Sequence, residues 1–278
     1  MSELTDRLSA DQAMALAGLL DVDPSAVGGG LSSLPPLWHW VYFLARPAQS
    51  ELGPDGHPLN RAPAPPRPGL RRMFAGGRVT SYGALELATP AELTSTVSEP
   101  VAKQSRSGPL WFVTQRLDYR QGGELRLTEE KDIVYREQHS GGSVVGSRTR
   151  RELADLVEPV GESGFELAVD ETLLFRFSAL TYNAHRIHYD LAWAEYEGYA
   201  GLVVHGPLQG ILMGEAFRHS GVDLIGRTFS YRLLAPCVGT QVLRIRSGAD
   251  EAAVYDAAGV QKFELEGHLS SLPDWPGT

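Results

Sequence analysis

Hydrophobic positions follow a helical period at the start of the chain and a strand period over most of what comes after. Leucines and alanines recur at helical spacing through the first twenty residues. Ser9-Ala10-Asp11-Gln12 has the form of a capping box, which predicts a helix running to Leu20. The apolar segment 34–44 carries Pro35 and Pro36 in its first turn and reads as a second helix start. Prolines at 47, 54, 58, 63, 65, 66 and 68 then deny regular structure to 46–69, so this stretch is expected to be a long loop that wraps the surface or covers a site. From Arg72 onward the pattern predicts strands at 79–87, 93–101, 110–119 and 124–135, separated by glycine turns, with a polar linker at 137–151.

The second half repeats this grammar. A segment at 165–177 leads into a polar loop, then an apolar helix at 206–220, then strands at 226–234, 241–247, 251–256 and 260–269. The chain therefore reads as two copies of one helix followed by a run of antiparallel strands, an α+β arrangement divided into 1–150 and 151–278. Two such units can pair their sheets and hide their edges, and self-association as a homodimer is expected on the same ground.

Composition narrows the function. The 278 residues carry a net charge of −9, which argues against a general nucleic-acid binder. A single cysteine, Cys237, excludes an internal disulfide and any multi-cysteine metal cluster. The longest apolar stretch, 37–45, is far short of the ~20 residues that cross a bilayer. The amino terminus lacks the basic-then-apolar order of a secretory signal, so no membrane is expected and the cytoplasm is the expected compartment. Arginines cluster at 71, 72 and 78 and again at 148, 150 and 151. Each cluster alone reads as a solvated face, although guanidinium forks also suit phosphate and carboxylate.

One stretch concentrates chemistry. Asn183, His185, His188 and Asp190 crowd into a turn with no sustained period, where two histidines three apart can face one pocket. Asp190 could orient a ring and fix its tautomer. Downstream, an apolar run enters Gly206-Pro207 at the head of the predicted helix. A helix start offers unpaired N–H groups and a positive dipole end, which suit a developing oxyanion.

Together these segments resemble the MaoC-like hydratase/dehydratase family of hot-dog folds. The resemblance is closest to its two-hot-dog branch of mesaconyl-CoA and itaconyl-CoA hydratases and mitochondrial-type hydroxyacyl-thioester dehydratases. With His188 as the motif's histidine, Asn183 takes the position of its aspartate and His185 that of its asparagine. Thr181 fits the small opening residue, Tyr182 replaces a glycine, and Asp190 matches a following acid. The segments 34–42, 71–78, 107–114 and 130–135 are similar to the branch's amino-terminal half.

The resemblance implies a double hot-dog fold and reversible hydration of a 2-enoyl thioester on CoA or an acyl carrier protein. It implies no metal or organic cofactor, because the thioester is the electron sink. It places the Gly206 amide on the thioester carbonyl. His188 becomes the base, able to take the water proton and return it to carbon, with Asn183 orienting the water and Asp190 or His185 tuning the ring. His185 stays open as a second titrating group, because Asn183 cannot take a proton as aspartate would. Tyr182, His205, Arg72 and Arg232 are expected around the substrate. Thioester hydrolysis and an inactive acyl-thioester-binding subunit are the competing expectations.

Overall fold

The computed structural model of the chain describes residues 2–23, 32–35, 37–60, 63–105, 108–137 and 164–268. The expected boundary at 150 and most of the expected linker lie outside these residues.

One antiparallel sheet organises the molecule. Its strands are β1 (Ser2–Asp6), β2 (Leu70–Ser81), β3 (Ala91–Val97), β4 (Val101–Ser105), β5 (Gly108–Gln121), β6 (Glu124–Glu137), β7 (Gly164–Val169), β8 (Thr228–Leu233), β9 (Gln241–Ser247), β10 (Glu251–Tyr255) and β11 (Gln261–His268). They lie in the order β1-β3-β5-β6-β2-β8-β11-β10-β9-β7, with β4 paired to β5. Read from each outer edge to the middle, both halves place their strands in the same chain order. The first strand is outermost, the second lies at the seam, and the rest fill inward between them. This is the double hot-dog arrangement, and it is α+β as expected.

The seam between β2 and β8 depends on two glycines. Gly76 pairs with Arg232 and Gly77 with Tyr231. A Cβ at Gly76 would lie 2.3 Å from the Tyr231 carbonyl oxygen, and one at Gly77 would lie 2.2 Å from that of Glu130. The sequence reading places strand character from Arg72 but bounds its first strand at 79–87. In the fold the glycines let two sheets close onto each other, and β2 runs from Leu70 to Ser81.

Among the described residues, four α-helices complete the fold: α1 (Ala10–Leu20), α2 (Glu171–Leu180), α3 (Leu191–Tyr196) and α4 (Gly206–His219). Ser9 caps α1 as its sequence predicts, its side chain accepting from the Asp11 N–H. Gln12 ties α1 to its neighbours by donating to the carbonyls of Val41 and Leu180. α4 is buried along Leu208–Phe217 and packs on β7, β9, β10 and β11. Gly210 gives it room, since a Cβ there would stand 2.2 Å from the Trp40 ring.

Three other predictions are corrected. Residues 2–6 form an edge strand on β3 rather than a helical turn, because ladder bonding outweighs a weak helical period. The segment 34–44 yields only a 3-10 turn, Trp38–Val41, entered through Leu37 in the left-handed region at φ 64°. The segment 165–177 splits into β7 and α2 at Asp170, whose carboxylate caps α2 by accepting from the Leu173 N–H. Among the described residues, no helix is long and apolar enough to cross a membrane.

Candidate active site

α2 ends at Thr181, and Tyr182 reverses the chain with φ 52°. Asn183 then folds its side chain back, its Oδ1 accepting from the His185 N–H at 3.0 Å. The 3-10 turn Arg186–His188 follows, and Asp190 caps α3 by accepting from the Trp193 N–H at 3.1 Å. The other Asp190 oxygen accepts from Arg186 Nε and Nη2, at 3.0 and 2.6 Å. Arg186 in turn lies 4.1 Å over the Trp193 ring. These bonds brace the loop that carries His188.

His188 is buried, and its Nδ1 lies 2.7 Å from the carbonyl oxygen of Val203. A carbonyl can only accept, so Nδ1 carries the proton and Nε2 keeps its lone pair. The group that fixes the tautomer is therefore this backbone oxygen, while Asp190 is taken up by Arg186 and the α3 cap. Burial holds the His188 pKa down to about 3, with the nearby His185 and His57 adding to the effect and the Val203 bond opposing it. At neutral pH the ring is an uncharged base.

The His188 ring stacks on His205, with centroids 3.6 Å apart and planes at 18°. His205 is the residue at which α4 starts, so the stack sets His188 beside the opening turn of that helix. His205 Nε2 meets Ser178 Oγ at 2.9 Å, while its buried Nδ1 has no hydrogen-bond partner among the described residues. Burial lowers its pKa well below the ordinary range, and the neighbouring histidines reinforce this. Gly206 and Pro207 open α4, whose first-turn N–H groups lack acceptors within the helix. Leu233 lies beside Gly206, where an added Cβ would stand 3.1 Å from its Cδ2.

His185 connects this centre to a part of the chain that sequence reasoning left out of the site. Its ring stands 5.5 Å from that of His188, edge-on, and 3.8 Å from that of His57. His57 lies in the proline-rich loop, where its Nδ1 is 3.0 Å from Asp55 Oδ2. Burial disfavours the Asp55 carboxylate, but the His57 hydrogen bonds and the charges of His57 and His185 overcome that and hold its pKa below the usual carboxylate range. The loop is docked firmly. Arg186 donates its N–H to the Asp55 carbonyl and Nη1 to that of Pro54, at 2.9 and 3.1 Å. Gly56, at φ 85°, sits so close that a Cβ would lie 1.8 Å from the Ala184 oxygen. The one available signal was Asp55-Gly56-His57-Pro58 itself, and only the fold reveals what it faces.

The remaining candidates lie further out. Tyr182 is exposed at the loop's turn. Arg232 sits on the outward face of β8, between inward-facing Tyr231 and Leu233, and pairs with Glu264. Arg72 shares its face of β2 with Phe74, which packs against Tyr231. Among the described residues, Asp55, His57 and His185 are the donor cluster close enough for a cation, within 4.8 Å of one another, but gathering one would break the Asp55–His57 bond. A cavity of about 230 Å3, lined by Leu34, Leu37, Val79, Leu127 and Phe229, lies at the Arg218 end of α4, away from this centre.

Comparison with known proteins agrees with this geometry. Residues 37–239 match the family model of hydroxyacyl-thioester dehydratase type 2. The chain is 44% identical over 236 residues to mesaconyl-C(4)-CoA hydratase of Chloroflexus aurantiacus, covering 84% of this chain and 81% of the relative. It is 27% identical over 254 residues to the mitochondrial hydroxyacyl-thioester dehydratase type 2 of Schizosaccharomyces pombe, covering 83% of each. Among solved structures it resembles HtdX of Mycobacterium tuberculosis at TM-score 0.65 and 12% identity, covering 96% of this chain and 99% of that one. A MaoC-like dehydratase from Phytophthora capsici matches at TM-score 0.65 and 13% identity, covering 97% and 96%. A double-hotdog protein of M. tuberculosis matches at TM-score 0.52 and 15% identity, covering 95% and 92%.

Proposed function

This chain belongs to the hydroxyacyl-thioester dehydratase type 2 family, and from that premise we propose that it is a hydro-lyase that adds water reversibly to 2-enoyl thioesters. The single observation that carries the reading is His188, its tautomer set by the Val203 carbonyl and its ring stacked at the head of α4. In this reading Nε2 removes a proton from water as the oxygen bonds to C3. The π electrons of the double bond move toward the thioester oxygen, where the Gly206 N–H and the helix dipole oppose the growing negative charge. C2 then gains a proton, and the reverse sequence dehydrates a 3-hydroxyacyl thioester. In this reading Asn183 and His205 stand beside the reacting centre, and Tyr182, Arg72 and Arg232 meet outlying parts of the substrate.

The substrate class is an enoyl group on CoA, with acyl carrier protein as the other carrier, and the chemistry requires no metal or organic cofactor. A short dicarboxylic enoyl-CoA is the first candidate, a reading supported by the similarity to a mesaconyl-C(4)-CoA hydratase. The reading includes a homodimer in the cytoplasm, supported by the sheet's two open edges at β1 and β7. Thioester hydrolysis is the weaker alternative, since the Glu215 carboxylate is engaged by Trp38 and Arg218.

The test is a panel of crotonyl-, mesaconyl- and itaconyl-CoA. Loss of enoyl absorbance without release of free thiol supports hydration. Thiol release reassigns the protein as a thioesterase, and binding without turnover makes it a carrier-binding subunit.

A further inference from the structure

The family motif holds an aspartate where this chain has Asn183, and Asn183 spends its side-chain oxygen on the backbone of its own loop. A carboxylate nevertheless reaches the site from elsewhere. Asp55 bonds His57, the His57 ring lies against that of His185 at 3.8 Å and a 39° tilt, and His185 stands edge-on to His188. Gly56 and the two Arg186 bonds fix the loop against 184–186, so this line of contacts is built into the fold.

We propose that Asp55, His57 and His185 form the second proton-handling arm of the active site, standing in for the aspartate that position 183 lacks. The proposal rests on the reading of His188 as base. His185 is the group that faces the reacting carbon, and Asp55 and His57 are positioning residues that act through it. In hydration, the water O–H bond breaks to His188 Nε2 as the C3–O bond forms. The enolate then takes its C2 proton from His185. The proton held by His188 passes back to the arm through solvent, so the enzyme ends as it began.

The charged and titratable groups around the arm are Asp55 and His57 on the loop, Arg186 with its partner Asp190, His188 on the 3-10 turn, His205 behind it and Glu197 at the end of α3, whose Oε1 lies 3.7 Å from His185 Nε2. The Asp55 carboxylate holds His57 by its hydrogen bond and brings a negative charge within 4.8 Å of the donor atoms of both rings. An acid works only while protonated, so loss of that charge moves the alkaline limb of activity to lower pH.

The test uses the full chain with Asp55→Asn and His57→Gly, each checked by circular dichroism for an intact fold. Hydration rates are measured across pH on whichever enoyl-CoA the wild type turns over. The expected result is a fall in kcat of at least about tenfold, less than the ~10²-fold of a group that transfers the proton itself, because Asp55 and His57 act through His185. KM should hardly move, the Asp55→Asn alkaline limb should shift downward, and added imidazole should rescue His57→Gly. Wild-type kcat and an unmoved pH profile in Asp55→Asn overturn the arm, as does loss of activity in His57→Gly that imidazole cannot restore. His188→Ala separates the two levels. Turnover that survives it sinks the parent reading, whereas its inactivity beside an unaffected Asp55→Asn sinks the arm alone.

Discussion

Two polar groups are buried beneath the same sheet and have opposite fates. On β6, fully buried Glu129 is ringed by donors: Trp40 Nε1 at 2.9 Å, Tyr231 at 2.8 Å, His39 and Tyr119 at 3.4 Å, and Lys131 at 3.4 Å. Burial works against its charge, but Lys131, His39 and Tyr231 overcome it and hold the pKa down to about 2. At the head of α4, His188 meets the Val203 carbonyl and His205 meets Ser178, while a buried His205 nitrogen has no partner among the described residues. Burial keeps both rings neutral there. A buried charge with every lone pair answered joins elements together, here the 3-10 turn, β6 and β8. A buried neutral base with a lone pair to spare is poised to take a proton.

The contrast breaks first at His188. Substitution to Ala should lower kcat for hydration by roughly 10³- to 10⁴-fold, the upper range for a general base, while leaving the thermal unfolding transition in place. Near-wild-type turnover would remove His188 from the chemistry.

Acid should reach the two clusters at different onsets. The folded His188 pKa of about 3 lies below the ordinary 6.5, so the unfolded chain binds more protons between those values. Stability therefore falls as pH drops through that range, by on the order of 4 kcal/mol from this ring once pH approaches 3. Glu129 contributes only below its ordinary 4.5, because its own pKa is lowered to about 2. Urea denaturation at pH 6.5, 5.5 and 4.5 should show a decline that His188→Ala flattens. A slope unchanged in that variant would place the proton uptake elsewhere.

Glu129→Gln tests the other side. A glutamine NH2 would face Trp40 and tyrosine donors that need acceptors, and Lys131 would lose its partner. A destabilisation of about 3 kcal/mol is expected in urea, with kcat per folded molecule preserved. A loss of kcat at unchanged stability would make Glu129 part of the reaction. Gly210→Ala should cost less, about 1–2 kcal/mol, because its new methyl meets the Trp40 ring and the 3-10 turn must shift. A neutral result would show that this turn is not locked.

Much of this architecture was legible in the chain. The strand at 241–247 and the helix beginning at 206 lie where period and Gly206-Pro207 place them. The repeated grammar emerges as one strand order used twice. What escaped notice depends on contacts distant in sequence. Gly76-Gly77 falls before the first strand the sequence bounds, and only the approach of Tyr231 makes it the middle of a strand. The residues Asn183 to Asp190 do gather around one centre, but Asp55 and His57 sit in a stretch whose prolines say only that it is loop. No period marks a loop that docks by a single missing Cβ.

Asp190 offers the smallest effect and a clean separation of two roles. Its position two residues after His188 invites the view that it orients the ring. The structure instead gives the His188 Nδ1 proton to Val203 and both Asp190 oxygens to other partners, Arg186 and the Trp193 N–H. Asp190→Ala should therefore act as the loss of a helix cap and an ion pair, with a modest drop in Tm, kcat within a few-fold of wild type and an unmoved pH–rate profile. Asp190→Asn keeps an oxygen for the cap and should recover most of the Tm. A shift in the pH profile of either variant at unchanged Tm would mean that the carboxylate reaches His188 after all, and the Val203 carbonyl would no longer suffice to explain the base.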